Sequence, residues 1–391
     1  MQSTYVNTNI LASIAKKGNK ETKDCRQRQP IKSETYPIQI EYSFKKGIIV
    51  QKAIHIMSRK ETLTKNITAK KKHHILRNIL IVFLSILALF AIGIGAYNGI
   101  KHIRFKGYYE IATRRRDNPG LNDGYVTQGL CFLEDEDRYL TSGYRKDKKS
   151  PSRVYSVDKD NKQHYAELYF IKDGAEKKFT YHCGGVASEG DYVYVASASK
   201  IFSFKKSDIL NSNKAVAVKS FSVNCAASFV FTDGQYLYTG EFNDGNSYKT
   251  NNTFTNTDGE TTKAIISKYN LSDVNEKEKG IPVLEYAIRN SVQGRCVTAS
   301  GKIVLDTSWG RNPSHFYVYD GFQDKIDTKD KDVPVIYLDS RYLKQDIVGP
   351  SRAEDLDYHN GKVLVASESA SNKYIYGKLF FYFYINGLTI D

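Results

Sequence analysis

One short pattern recurs five times through the last two-thirds of the chain. The copies begin at Gly129-Leu-Cys-Phe-Leu, Gly185-Val-Ala-Ser-Glu, Phe229-Val-Phe-Thr-Asp, Cys296-Val-Thr-Ala-Ser and Leu356-Asp-Tyr-His-Asn. Each is a short apolar strand, a tight turn carrying Gly or acidic residues, and a second strand ending in small residues. A unit of this size cannot bury both of its faces alone. Recurrence at several tens of residues therefore predicts units stacked around an axis, an all-β chain folded as a β-propeller.

Four-stranded blades need third and fourth strands as well. Third strands read at Arg153–Asp158, Lys200–Lys205, Ile265–Asn270, His315–Asp320 and Tyr374–Lys378. Fourth strands read at Tyr165–Ile171, Ala215–Val223, Pro282–Ile288 and Pro334–Leu338, and Tyr108–Thr113 supplies the fifth from the other end of the domain. That closure leaves no open edge in the ring. The count is five blades. Two insertions stretch the repeat: Phe242–Lys263, rich in Asn, Thr, Gly and Asp, and the charged Gly321–Asp332. The first follows directly on an inner strand pair, where long loops often carry function.

The net charge of +14 suggests a nucleic-acid partner until it is divided along the chain. Residues 1–77 hold 17 Lys/Arg and 5 Asp/Glu, whereas the remainder holds 40 and 38. The basic character belongs to the tail, and a nucleic-acid-binding propeller is not supported.

Ile79–Tyr97 runs for 19 residues without a charge. As a helix it spans about 28 Å, close to the hydrocarbon thickness of a bilayer. An all-β domain offers such a helix nothing to pack against, and Gly93, Gly95 and Ala96 make a poor cleavage site, so residues 78–98 read as an uncleaved signal anchor. Its flanks are nearly balanced, with seven Lys/Arg before and six after. The upstream cluster lies close to the span, and a single N-terminal span normally translocates the domain C-terminal to it. Both place the propeller outside the cytoplasm. The expected division is a basic, disordered cytoplasmic segment over 1–77 with a natural start at Met57, the anchor, a linker over 99–106 and the propeller over 107–391.

In a propeller the starts of the innermost strands face the central channel on one side of the disc. Here they present Gln128, His182, Asn224, Gln293 with Arg295, and Glu354 with Asp355. Glu241, Asp306 and Glu368 follow second strands, and Trp309 lies just behind Asp306. Polar groups converging on an axis are expected to bind a ligand there; the bland alternative is that they solvate the hole. His182 and Glu354 are the candidate acid/base pair, Arg295 the bidentate donor for an anionic group, and Trp309 a platform for a sugar ring or base. Glu354 with an amide oxygen of Asn224 is a weak calcium candidate, and no other cofactor is indicated. The chain has no Gly-x-Ser-x-Gly elbow, no His-Glu-x-x-His and no complete P-loop. Cys131, Cys183, Cys225 and Cys296 fall in four separate blades, too far apart for ready disulfides, and read as buried thiols.

Val126-Thr-Gln-Gly-Leu-Cys, Tyr181-His-Cys-Gly-Gly-Val-Ala, Val292-Gln-Gly, Leu305-Asp-Thr-Ser-Trp-Gly and the closing Ala353-Glu-Asp-Leu resemble a family of uncharacterised secreted or membrane-anchored bacterial propellers over about Gly107–Lys378. The resemblance implies a fold and an extracytoplasmic location, with no assigned activity. More remotely the blades are similar to strictosidine-synthase-like and gluconolactonase-like propellers, which have six blades and often calcium. Five-bladed glycosidases carry axial acids on their inner strands, where this chain has Gln128. The expected function is a membrane-anchored propeller binding a small molecule, glycan or protein at its channel face. The alternative is a lactone- or glycan-directed hydrolase.

Overall fold

The computed structural model describes residues 38–256, 258–374 and 383–390. The chain divides into two compact units, residues 1–85 and 86–391. Residues 1–37 of the expected basic segment lie outside the described residues. From Ile38 onward the chain is one helix to Arg104, not the disordered tail expected upstream of the span. No Pro or Gly interrupts it between Gly47 and Gly93, and Lys65 pairs with Glu61 one turn away at 3.3 Å. Among the described residues it is the one helix long and apolar enough to cross a membrane, and its apolar stretch is not buried.

The second unit is a five-bladed β-propeller. Blade 1 is built from Tyr125–Leu133, Arg138–Arg145, Arg153–Val157 and Gln163–Lys172. Blade 2 uses Gly185–Glu189, Tyr192–Ser197, Lys200–Lys205 and Lys219–Ser222. Blade 3 uses Phe229–Thr232, Tyr236–Gly240, Ala264–Asn270 and Leu284–Ile288. Blade 4 uses Val292–Val297, Ile303–Thr307, Ser314–Tyr319 and Leu343–Gly349. Blade 5 joins Ala353–His359, Lys362–Ser367 and Tyr384–Leu388 to Ala112–Asp117 from the other end of the domain. Each innermost strand touches the next, and the fifth touches the first, so the ring is closed. The core is correspondingly cyclic, with one apolar cluster between each successive pair of blades.

The inner strands meet closely enough to require missing side chains. A Cβ on Gly129 would lie 2.6 Å from the backbone N of Val186, and one on Gly185 would lie 2.5 Å from that of Val230. Gly294 faces Asp355 of blade 5 in the same way.

The outer edges follow a rule invisible in the sequence. The segment leading into a fourth strand lies on the outer strand of the preceding blade. Lys214–Val216 adds in parallel to Gln163–Lys172, and Val333–Tyr337 adds in parallel to Leu284–Ile288. A single bridge, Ser222 to Lys279, does the same for blade 2. This corrects two expected fourth strands. Ala215–Val223 splits between two blades. Pro334–Leu338 belongs to the rim of blade 3, and blade 4 ends instead with Leu343–Gly349, whose exposed Lys344, Gln345 and Asp346 hid it from an apolar pattern.

Closure of the last blade from the N-terminal side is present but shifted. Tyr108 sits in a short helix, Lys106–Ile111, and packs on Phe316 of blade 4 with ring centroids 5.6 Å apart. The strand proper is Ala112–Asp117, registered as Ala112 opposite Leu388. Of the expected third strand Tyr374–Lys378, residues 375–378 lie outside the described residues, and Tyr384–Leu388 fills that place in the sheet. Arg116 ties the added strand onward to blade 1. It donates to the carbonyls of Asp137 at 2.7 Å and Val157 at 3.0 Å, and to the Asp137 carboxylate at 2.6 Å.

A chain beginning at Asn118 loses Ala112–Asp117 and leaves Tyr384–Leu388 as a raw edge. Its melting temperature should fall by about 10 °C or more, with aggregation on size-exclusion chromatography. An unchanged melt would show that the strand does not hold the ring.

Candidate functional site

Three of the inner strands begin with the same irregularity. The pairing register slips between Thr127 and Gly129, between Val292 and Gly294, and between Ala353 and Asp355. The extra residue in each case is Gln128, Gln293 or Glu354. A bulge of this kind lifts one residue out of the ladder and re-aims its side chain, here toward the axis. Blades 2 and 3 make an equivalent step: Gly184 and Ser228 donate to the carbonyls of Ala196 and Gly240, the residues that Gly185 and Phe229 also oppose. All five positions line one axial cavity of about 530 Å³. A second ring comes from the ends of the second strands and the residues after them, including Tyr144, Ser197, Phe242, Trp309 and Glu368.

One wall of the cavity is charged. Gln128 Nε2 donates to Glu354 and to Glu368, 3.3 Å to each. Arg352 donates to Glu368 at 2.8 Å and Tyr374 donates to it at 2.6 Å, while the Arg352 guanidinium lies 3.6 Å over the Tyr374 ring. The Arg352 backbone is held at φ +73°, a strained conformation for a side-chain-bearing residue, and functional positions are where such strain is usually kept. Lys373 donates to the Tyr144 hydroxyl, and His182 stacks on the Tyr144 ring with centroids 4.8 Å apart. Another part of the lining is aromatic. Trp309 contacts Phe242 at 5.3 Å and Tyr248 at 5.9 Å between centroids, and the latter two meet at 5.6 Å. Phe242 and Tyr248 come from the Phe242–Lys263 insertion.

The electrostatics follow from burial. Loss of water, then the Glu368 charge beside it, holds the Glu354 carboxyl well above its ordinary range, and the two carboxyls hydrogen-bond one another. Burial also lowers the ammonium pKa of Lys373, against the pull of Glu368 and Glu354. His182 is open to the cavity space, yet the surrounding protein, then Lys373 and Lys148, depress its pKa, so it is neutral near pH 7. Paired directly, Glu354 and Glu368 are too close to flank a glycosidic bond, which requires carboxyls about 5 Å or more apart.

Of the residues singled out from sequence, Gln128, His182, Gln293, Trp309, Glu354 and Glu368 line the cavity together. The others do not reach it. Asn224 lies within blade 3, donating to Glu285 at 2.7 Å and accepting from Ser267 and Tyr269. With its amide oxygen so engaged it cannot join Glu354 around calcium, and no group of three or more His, Cys, Asp or Glu among the described residues is placed to hold a metal ion. Arg295 follows the bulge and turns between blades 3 and 4, with its guanidinium 4.0 Å over the Tyr238 ring. Asp355 accepts the Leu130 N–H of blade 1 at 2.9 Å, a seam role. Glu241 accepts from the Ala226 and Ile265 backbones and from Asn252 at 2.7 Å, fastening the insertion down. Sequence reasoning missed Tyr144, Arg352, Lys373 and Tyr374. Cys131, Cys183, Cys225 and Cys296 are buried free thiols.

The sequence matches no family model and no curated protein. Solved structures to which the chain is similar include the PQQ-bound form of aldose sugar dehydrogenase from Streptomyces coelicolor, 15% identical over 66% of this chain and 78% of that one, TM-score 0.38. The WD40 repeats of RRP9 are 10% identical over 73% and 98%, TM-score 0.37. Myxococcus xanthus glutaminyl cyclase is 12% identical over 72% and 97%, TM-score 0.33. These likenesses are distant.

Beside the cavity, Asp306 is fully buried on the second strand of blade 4. The backbone N–H groups of Gly294 and of Asp306 itself approach its carboxyl, but neither oxygen has a partner of good geometry. Burial raises its pKa from 3.8 to about 7. The folded state therefore holds a proton that the unfolded state releases, and stability falls as pH rises through that window. Asp306→Asn should match the parent below pH 4 and exceed its stability by up to about 4 kcal/mol at pH 8. Urea unfolding at both pH values measures this; parallel curves would mean that the carboxyl titrates normally.

Proposed function

We propose that this protein is a membrane-anchored, extracytoplasmic propeller that binds a ring-bearing polar ligand, a glycan foremost, in its axial cavity. The observation that carries this reading is the meeting of two unlike clusters in the lining of one cavity. Trp309, Phe242 and Tyr248 offer ring faces. Gln128, Glu354, Glu368, Arg352 and Lys373 offer donors and acceptors. Sugars present the same division, with apolar C–H faces and polar edges. A volume of about 530 Å³ lies within the usual range for small-ligand sites. Among the described residues no carboxylate lies within ion-pair distance of Lys373, so the cavity favours a ligand carrying an anionic group.

The membrane part of the proposal rests on the helix Ile38–Arg104 and its apolar stretch, with the N-terminus in the cytoplasm. Protease added to intact cells should degrade the propeller and spare the residues before the span. Protection of the whole chain would overturn the topology.

Trp309→Ala removes one ring from the aromatic wall at a residue 45% exposed, so the fold should persist. Retention on a glycan panel should weaken about tenfold or more, the usual effect of losing a stacking anchor. A panel on which neither the parent nor the variant binds any sugar would sink the reading.

A further inference from the structure

We propose that the ligand is a chain of acidic sugar units, which leaves the axial cavity over the Ser197–Ser199 turn and runs outward along a lysine-lined groove between blades 1 and 2. This rests on the axial-binding reading and extends it. The groove has a volume of about 890 Å³ and shares Ser197 and Ala198 with the axial cavity, so only the turn between the second and third strands of blade 2 separates the two spaces. Each space alone is the size of a small-molecule site, and two in series exceed the needs of a single sugar.

The chemistry of the groove is one-sided. Lys172, Lys200, Lys219 and Lys279 line it, and no Asp or Glu does. Lys219 donates to the Asn275 carbonyl at 2.8 Å. The other three make no ion pair with a described carboxylate. On the blade 1 hairpin Glu176 is already held by Lys214 at 2.6 Å, and Asp173 in the turn after Lys172 does not line the groove. Unneutralised lysines spaced along a groove attract a ligand whose negative charges are also spaced. Between them lie Tyr181, 45% exposed, and the serine hydroxyls of the turn and of the outer strand of blade 2. Ring faces and hydroxyls beside ammonium groups suit a uronate chain. An acidic peptide would instead look for free backbone, but Lys219–Ser222 is already paired to Lys200–Ser203 on one side, and Ser222 is bridged on the other.

The test is isothermal titration of the full-length protein in detergent with galacturonic acid, galacturonate oligomers, neutral galactose oligomers of equal length, and poly-glutamate. The galacturonate oligomer should bind about tenfold or more tighter than the monomer, because the second contact becomes intramolecular. That advantage should shrink with added salt. In the Lys172→Ala/Lys279→Ala double variant it should disappear while monomer affinity is unchanged, since both lysines lie outside the axial cavity. Trp309→Ala should weaken monomer and oligomer together. Equal affinity for monomer and oligomer, an oligomer advantage untouched by the lysine changes, or equal binding of the neutral oligomers overturns the acidic-chain inference and leaves axial binding standing. Poly-glutamate binding that matches the uronate chain overturns it in favour of a peptide. No binding by any sugar overturns both.

Discussion

The ring holds because blade 5 is sealed to blade 1 without a covalent bond. An innermost strand has one edge facing the axis, where no further strand can pair with it, and its N–H groups must be satisfied in some other way. At this seam Asp355 and Asp357 supply carboxylate oxygens to the N–H groups of Leu130 at 2.9 Å and Phe132 at 2.5 Å. Their second oxygens accept from Leu356 and Tyr358, the next residues along the same strand. One strand's side chains thus stand in for a missing ladder. Farther out the His359 ring packs, tilted, on Phe132 with centroids 3.8 Å apart and bonds Glu134 at 2.6 Å, and Arg116 reaches across from the outer strand. The cost appears in the acidity of the two groups: burial raises the pKa of Asp355 well above its ordinary range and that of Asp357 to about 7. The seam and the cavity are one electrostatic system, since Asp306 raises both Glu354 and Asp355.

The same inner-strand geometry makes the cavity. Glycines let the strands approach one another, and the bulge just before them turns one side chain per blade toward the axis. A regular strand would have sent Gln128, Gln293 and Glu354 into the spaces between blades, which apolar residues fill. Site and packing are therefore set by adjacent residues: Gln128 beside Gly129, Gln293 beside Gly294, Glu354 beside Asp355. Substitution at the glycine would move the functional side chain as surely as substitution of that side chain itself.

The repeat was legible because alternation and turn glycines recur in every blade, and the strand pairs read from sequence match the inner two strands of all five. Outer strands were less legible for a physical reason. Leu343–Gly349 faces water and carries Lys, Gln and Asp, whereas Val333–Tyr337 is apolar because it lies over the rim of its neighbour. Hydrophobicity reports burial, not blade membership. For the cavity lining, the starting residues of blades 1, 4 and 5 were legible because a polar residue stands directly before Gly or Asp in each. In blade 3 the eye falls on Asn224, while the equivalent position is Ser228, too small to draw attention. Arg352, Lys373 and Tyr374 flank strands of blade 5 in loops without period. Only the fold shows that these loops return to the axis.

The fivefold plan is broken unevenly, and the unevenness gives the cavity a direction. Blades 1, 4 and 5 place Gln128, Gln293 and Glu354 at the bulge position, long side chains that fill their sector. Blades 2 and 3 place Gly184 and Ser228 there. The charged groups come chiefly from blade 5 and the aromatic ones from the loops of blades 3 and 4, and toward blade 2 the lining beyond His182 is made of small residues. There the wall falls to Ser197 and Ala198, which the basic groove also shares. A repeat fold thereby acquires one low sector in its cavity wall through differences of a few side chains at equivalent positions.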